Sequence, residues 1–492
     1  MRHILILLLA LVPGAAAAQQ IDTLGLRAHT RFLSDDALQG RGTGTAGERT
    51  AGLYIESELI RMGLRGAANG SYRQRVPIRR GVIDDARSTL RITRNGDAQT
   101  FAHDVDFIYN TGGPQAFRDF SGPVVFLGTP DHALRSRANI ANRVVVLTAT
   151  PSAAATRLVP EWKRQGVRGV VVLVPDPAQF ALYTRSRGDS RYFVDAPVDD
   201  PIWQSDLPVI LAGPNATRLL LRDAGNRLER LSAETFEPLD LNATIATTLG
   251  MQVESATGDN IVGVVRGTDP QLRDEYIVYT AHYDHLGIST AVAGDSIYNG
   301  FSDNAAGVAM LLGIADHFVK HPPKRSVAFV FFTGEERGLL GSTYWASHPP
   351  IPNDRVASVI NLDAGAPPAP AVEWRIAGGG NSTLGAIAEE VGRKHGWSVI
   401  LGEASPNSDY WPFLARNVPA IFIIPGNKWE NLSDAERDAL RQRWDRYHRA
   451  DDHWDADFPF SGLERYARFA LEVGQTAANA QQRPRIERRT SR

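Results

Sequence analysis

The sequence predicts an α/β protein, a mostly parallel sheet sandwiched by helices, interrupted by a smaller inserted α/β unit. Three observations predict it. From about residue 260, short apolar strands alternate with helical segments, the pattern of parallel strands joined by crossover helices. A second series of this kind occupies 121–245 and ends in a shift of composition after Thr248-Leu249-Gly250. The 492 residues are also more than one hydrophobic core ordinarily serves.

In chain order, residues 1–20 (MRHILILLLALVPGAAAAQQ) read as a secretory signal. Arg2 and His3 give a basic start. Residues 4–12 form an apolar run too short to cross about 30 Å of hydrocarbon, and Ala16-Ala17-Ala18 offers small residues for cleavage. The signal is placed at 1–18, with a periplasmic or secreted location and no stable membrane insertion as the expectation. Residues 21–65 open with a helical pattern. A Gly/Thr-rich loop follows at 40–47, then a helix over 50–62 stopped by Gly63. Residues 71–110 alternate as strands do, with turns at Asn95-Gly96 and Gly112-Gly113.

The inserted unit, set at 116–248, carries the strands GPVVFLG, NRVVVLTA, GVRGVVVLVPD and LPVILAG, with helices at 153–165 and 215–224. Residues 19–115 and 249–480 then form the main domain. Its later strands fall at 326–333, 356–362, 372–376, 399–401 and 420–424. Its helices fall at 305–319, 339–347, 383–395, 410–416 and 463–475. The polar, basic tail 481–492 is expected to be disordered.

Composition narrows the chemistry. A net charge of −2 and the absence of long single-sign runs give no reason to expect a nucleic acid partner. The chain has no cysteine, which excludes disulfides, thiolate metal sites and a cysteine nucleophile.

Sheets of this class place their sites beyond the carboxyl ends of the strands. There the sequence sets acids and imidazoles. His282, Asp284 and His285 close YIVYTAH. His282 can ligate a metal with Asp284 behind it accepting the other ring N–H, or the group can be a polar strand end. Asp303 stands before an apolar helix, where capping by it or by Asn304 is the alternative. Gly300 and Gly307 beside it suggest a backbone in close approach to something. Glu335-Glu336 follow VAFVFF, and adjacent carboxylates at a buried strand end repel unless cations are present, so this pair is the strongest local signal. Adjacent side chains diverge, so one can bind metal while the other serves as general base. Asp363 ends VASVINLD. A last ligand is sought in His448 or His453, with Asp451 and Asp452 placed to orient His448; His395 reads as a helix C-terminal cap and His132 as an ordinary lone histidine. Three carboxylates against two divalent cations leave one positive charge, which an anionic nucleophile would balance. Mixed imidazole and carboxylate ligands suit zinc.

AHYDHLG, GFSDNAAGVA, TGEERGLLGS, NLDAG and YHRADD, in this order, resemble the M28 (aminopeptidase Y-type) family of zinc metallopeptidases. The stretch DDALQGRGTGTAGERTAGLYIESELIRMGL resembles that family's N-terminal segment, and 121–245 resembles the protease-associated (PA) domain often inserted in it. The resemblance implies a zinc-exopeptidase fold and a di-zinc hydrolase of peptide or protein substrates. Of its two Zn2+, His282 and Asp363 would hold one, and Glu336 and His448 the other. Asp303 would bridge them, Glu335 would be the general base and Asp284 would support His282. Ser408-Asp409-Tyr410 matches a piece the family carries before an aromatic, so Asp409 and Tyr410 are expected to shape the substrate pocket. Removal of an amino-terminal residue is the default expectation. Glutaminyl cyclisation on one zinc and a non-catalytic binding ectodomain are the competing readings.

Overall fold

The computed structural model describes residues 21–110, 112–148, 153–187, 190–199, 205–222, 224 and 236–487. The signal expected at 1–18 and the last five residues of the expected tail, 488–492, lie outside them.

Among the described residues, ten strands form one sheet and eight a second. At the centre of the first, Tyr276–His282 runs parallel to both neighbours, Ser326–Phe332 and Val356–Asn361, and Ala420–Pro425 continues the parallel order. These strands are continuous apolar runs because both faces are covered. Along Ser326–Phe332, Val327, Phe329 and Phe331 pack toward the helices Thr23–Leu33, Ala46–Met62, Ala306–Lys320 and Ser461–Asn479. Ala328, Val330 and Phe332 pack the other way, with Trp345 and Phe413. The α/β class holds, but parallel pairing is largely confined to the centre. Met251–Val265 pairs antiparallel with Ser326–Phe332 and with Arg73–Ile83, and Glu373–Ala377 pairs antiparallel with Ala420–Pro425.

The expected division at 115/116 does not follow the sheets. Thr89–Arg94, Asp97–Ala102 and Phe107–Tyr109 join the second sheet, through Leu239–Thr248 and Val209–Ala212. They do so because Leu90, Ile92, Phe101 and Phe107 bury with Phe126, Val144 and Ile245 in one cluster. Conversely, Ser190–Val194 leaves the inserted unit and pairs with Arg73–Ile83 at the edge of the first sheet.

Disorder is not found over 481–487. The Arg483 guanidinium donates to the Asp354 and Val356 carbonyls, and Thr383 N–H donates to the Arg485 carbonyl at 3.0 Å. The expected loop at 40–47 is shorter than read: it covers 42–45, between the 3-10 turn Asp36–Arg41 and the helix that begins at Ala46. Three further helices, Pro130–Arg135, Asp434–Trp444 and Pro177–Arg187, lie outside the expected set. The second starts at a Ser433/Glu436 capping box, a signal legible in the sequence.

Candidate metal centre

Register alone gathers the first three groups. His282 lies opposite Phe332, and Thr280 opposite Asn361. The chain past each strand therefore brings Glu335-Glu336 and Asp363 to either side of His282, at the carboxyl edge of three adjacent parallel strands.

The fourth comes from the turn before a helix. Asp303 (φ −122°, ψ 92°) is not helical, and the helix proper begins at Ala306. Capping falls instead to Asn304, whose Oδ1 accepts from Gly307 N at 2.9 Å while its Nδ2 donates to the Leu362 carbonyl at 3.0 Å. Asp303 is thereby left free to face the site. The close approach read from the glycines is present. A Cβ on Gly300 (φ 61°) would lie 2.2 Å from the Asp303 carbonyl oxygen, and one on Gly307 2.5 Å from the Leu362 carbonyl oxygen.

His282 Nε2 lies 2.8 Å from Asp363 Oδ1 and 3.1 Å from Asp303 Oδ1. His448 Nε2 lies 2.9 Å from Asp303 Oδ2 and 3.2 Å from Glu336 Oε2, yet is buried without an aligned hydrogen bond to either. The two oxygens of Asp303 thus face two different imidazoles. His285 belongs here too, with Nδ1 2.6 Å from Glu336 Oε1 and its buried Nε2 unpartnered. His282, Asp303 and Asp363 form one group of converging donor atoms, and His285, Asp303 and Glu336 a second, each with its atoms within 4.8 Å of one another. Nitrogen and carboxylate oxygen converging at this spacing, with His448 Nε2 buried and lacking an aligned hydrogen bond, fit zinc-sized cations.

The electrostatics point the same way. Burial would lower the His282 imidazole, but Asp363 and Glu335 outweigh it and hold the ring well above its ordinary range. Partial burial would lower His448 too, but Asp303 and Glu336 lift it to about 10. Burial opposes the Asp303 carboxylate, but His282 and His448 hold it well below its usual value. Burial and Asp303 push Glu336 up, and the two imidazoles at its oxygens bring it down to about 2. Glu335 goes the other way. Burial raises it, Asp363 and Asp409 add to this, and it sits well above the usual carboxylate range despite His282. In the metal-free chain, imidazole protons occupy the electrostatic place of cations.

The supporting shell differs from expectation at several points. Asp284 Oδ1 is 3.7 Å from His282 Nδ1, and the ring donates instead to the Asp284 backbone carbonyl at 3.1 Å. The Asp284 carboxylate accepts from Glu335 N at 3.1 Å and from Thr43 Oγ1 at 2.7 Å, so it holds the base-bearing turn. Asp452 does not orient His448. It accepts from Ser302 N and Oγ and ties down the segment carrying Asp303, while Asp451 pairs with Arg449. Asp409 and Tyr410 are fully buried and cannot line an open pocket. The Tyr410 hydroxyl is taken up by the Ser405 backbone, and burial pushes Asp409 up to about 7. Their neighbour Ser408 donates to Asp363 Oδ2 and accepts from Asn361 Nδ2 at 2.7 Å. His453 is exposed and only meets the Trp454 carbonyl; the His395 ring pairs with Glu472 at 2.8 Å. His132 completes a capping box with Thr129.

Sequence reasoning missed Arg41. It is buried beneath the site and donates to the carbonyls of Leu33, Tyr283 (2.8 Å), Asn299 (2.6 Å) and Gly300 (2.9 Å), binding together the segments that carry His282 and Asp303. Burial lowers its guanidinium to about 10. Glu48 was missed as well. It is fully buried, accepts from Thr333 Oγ1 and from Gly44 N at 2.5 Å, and burial holds it well above its usual range.

The model of peptidase family M28 matches residues 260–474. Over 103 residues the chain is 34% identical to a "Probable zinc metalloprotease" of Pyrenophora tritici-repentis, covering 21% of this chain and 23% of that protein. Over 118 residues it is 30% identical to a "Vacuolar membrane protease" of Vanderwaltozyma polyspora, covering 24% of this chain and 11% of that protein. The chain thus spans under a quarter of the length of either of these curated relatives. Among solved structures, an aminopeptidase from Aneurinibacillus sp. strain AM-1 superposes with a TM-score of 0.56 at 18% identity, covering 94% of this chain and 96% of that one, a likeness of fold. No helix of the described residues is long and apolar enough to cross a membrane.

Proposed function

With residues 260–474 a domain of peptidase family M28, we propose that the protein is a two-zinc exopeptidase, an aminopeptidase that hydrolyses the peptide bond beside a free amino terminus. The reading is carried by Asp303, whose Oδ1 is 3.1 Å from His282 Nε2 and whose Oδ2 is 2.9 Å from His448 Nε2, the disposition of a bridging carboxylate. His282 and Asp363 would hold one ion, Glu336 and His448 the other. Bound zinc supplies Lewis-acid polarisation of the scissile carbonyl and acidifies water at neutral pH.

The rest is done by the chain's own groups. Glu335 is spared from ligation, and its backbone is fixed by Asp284. It takes the proton of the attacking water and passes it to the leaving amine nitrogen. The presence of both donor groups favours hydrolysis over acyl transfer at a single metal. A periplasmic or secreted location, and a covering role for the second, PA-like unit, belong to the same proposal.

The test is zinc content and hydrolysis of aminoacyl p-nitroanilides by the parent and by Glu335→Ala. Near two zinc per chain in both, with kcat lower in the variant by about 10²–10⁴, supports it. Zinc without hydrolysis in the parent sinks the peptidase reading, and one zinc per chain sinks the bridged pair.

A further inference from the structure

The turn that carries Glu335 and Glu336 is not self-supporting. It is a single 3-10 turn, Glu335–Arg337, set between residues in the left-handed region: Gly334 (φ 68°), Gly338 (101°) and Leu339 (56°). Leu339 is not glycine, so its conformation is one that surrounding contacts must hold.

Part of that holding comes from the strand that leaves the inserted unit for the first sheet. The edge strand Ser190–Val194 is in register with Arg73–Ile83 from Ile78↔Val194 to Val82↔Ser190, and this places Tyr192 beside the turn. The Arg337 guanidinium carbon lies 5.3 Å from the Tyr192 ring centroid, within cation–π range. Arg337 Nη2 donates to the Leu286 carbonyl at 3.2 Å, one residue past His285. Its Nε is buried with no hydrogen-bond partner, so the guanidinium is held by one carbonyl and one aromatic face.

The same segment grips the helix beyond the turn. Val194 shares an apolar cluster with Val76, Ile78 and Leu340, and Asp199 N donates to Ser347 Oγ at 3.3 Å. Leu340 and Ser347 are the two ends of that helix.

We propose that Tyr192 is a positioning residue for Glu335 and Glu336, acting through Arg337, so that the strand leaving the inserted unit braces the catalytic turn of the main domain. The proposal rests on the peptidase reading for its kinetic consequence but not for its structural one.

The experiment compares Tyr192→Ala, Tyr192→Phe, Arg337→Ala and Tyr192→Ala/Arg337→Ala in the full zinc-loaded chain. The measurements are kcat and KM on an aminoacyl p-nitroanilide, zinc release to a chelator, and backbone hydrogen exchange over 334–341. Tyr192→Ala is expected to lower kcat about tenfold with KM within about twofold, since small misplacements of reacting groups cost rate more than binding. It is also expected to speed zinc release and exchange in the turn. Tyr192→Phe keeps the ring and should match the parent, and the double variant should be no worse than Arg337→Ala. Parent-like kcat and exchange in Tyr192→Ala, equal damage from Tyr192→Phe, or multiplied losses in the double variant would each overturn the brace. A parent that hydrolyses nothing overturns the peptidase reading instead, and exchange over 334–341 then decides the brace alone.

Discussion

The two sheets share a design and differ in what lies beyond their strands. Each has a parallel heart of valine-rich strands: Tyr276–His282 between its neighbours in one, and Ser121–Phe126, Val144–Leu147, Gly169–Leu173 and Val209–Ala212 in the other. In the first sheet the chain continues into His282, Glu335-Glu336 and Asp363. In the second it continues into Leu127-Gly128, Thr148, Val174 and Gly213. Both donor groups found among the described residues lie at the first sheet. Parallel strands therefore create an edge where backbone and side chains can converge, but only polar residues just past the strand ends make that edge a site. The cost falls on one side as well. The first sheet buries the carboxyl groups of Glu48, Asp284, Asp303, Asp409 and Asp452, which repel one another unless protons, Arg41 or cations intervene.

The sharpest way to break the contrast is Asp303→Ala. On the proposed two-zinc reading, losing a carboxylate shared by the ions should abolish zinc binding and bring hydrolysis to background, read by metal analysis and p-nitroanilide turnover. Thr148→Ala, at a strand end of the second sheet, should leave both unchanged. Next is Arg41→Ala, which leaves four carbonyls without their donor and the buried acids without their cation. A loss of about 3–5 kcal/mol in denaturant unfolding is expected, and a loss under about 1 kcal/mol would show that Arg41 is peripheral. Asp452→Asn keeps the size of the side chain but removes the charge that holds Ser302. Zinc affinity should weaken by about 10–100-fold in chelator competition, as for other groups that orient ligands.

The smallest effect is a pH dependence. His448 is raised from 6.5 to about 10 in the metal-free fold, so its proton stabilises the folded state fully below about 6.5 and the benefit is lost as pH climbs toward 10. The melting temperature of metal-free protein should fall across that window, while the zinc-loaded protein, its imidazole already deprotonated, should not share the fall. A metal-free melting temperature that rises from pH 7 to 10 would contradict this assignment.

Much of the site is legible as text because His282, Asp303, Glu336 and Asp363 each stand beside an apolar run that buries them. VAFVFF before Thr333-Gly334-Glu335-Glu336 and VASVIN before Leu362-Asp363 declare both a strand and the acids just beyond its end. Asp303 was readable from its place before the helix, although Asn304 turned out to do the capping. His285 was visible beside His282 but carried no sign of which carboxylate it would meet. Asp409 and Tyr410 resembled pocket residues by motif, and burial removed them from that role.

By itself, then, the sequence determined the apolar strands, their α/β alternation and the acids and imidazoles just past them, because periodicity, capping and turn chemistry reside in contiguous residues. The tertiary structure alone decided that strands from 89 to 109 join the second sheet, that 190–194 returns to the first, that Arg41 lies beneath the donor groups and that Asp452 ties down the segment of Asp303 rather than His448. Those outcomes turn on which distant apolar faces pair and which buried charges find partners. Such choices are settled by free-energy differences between whole-chain arrangements, and no local stretch of sequence contains them.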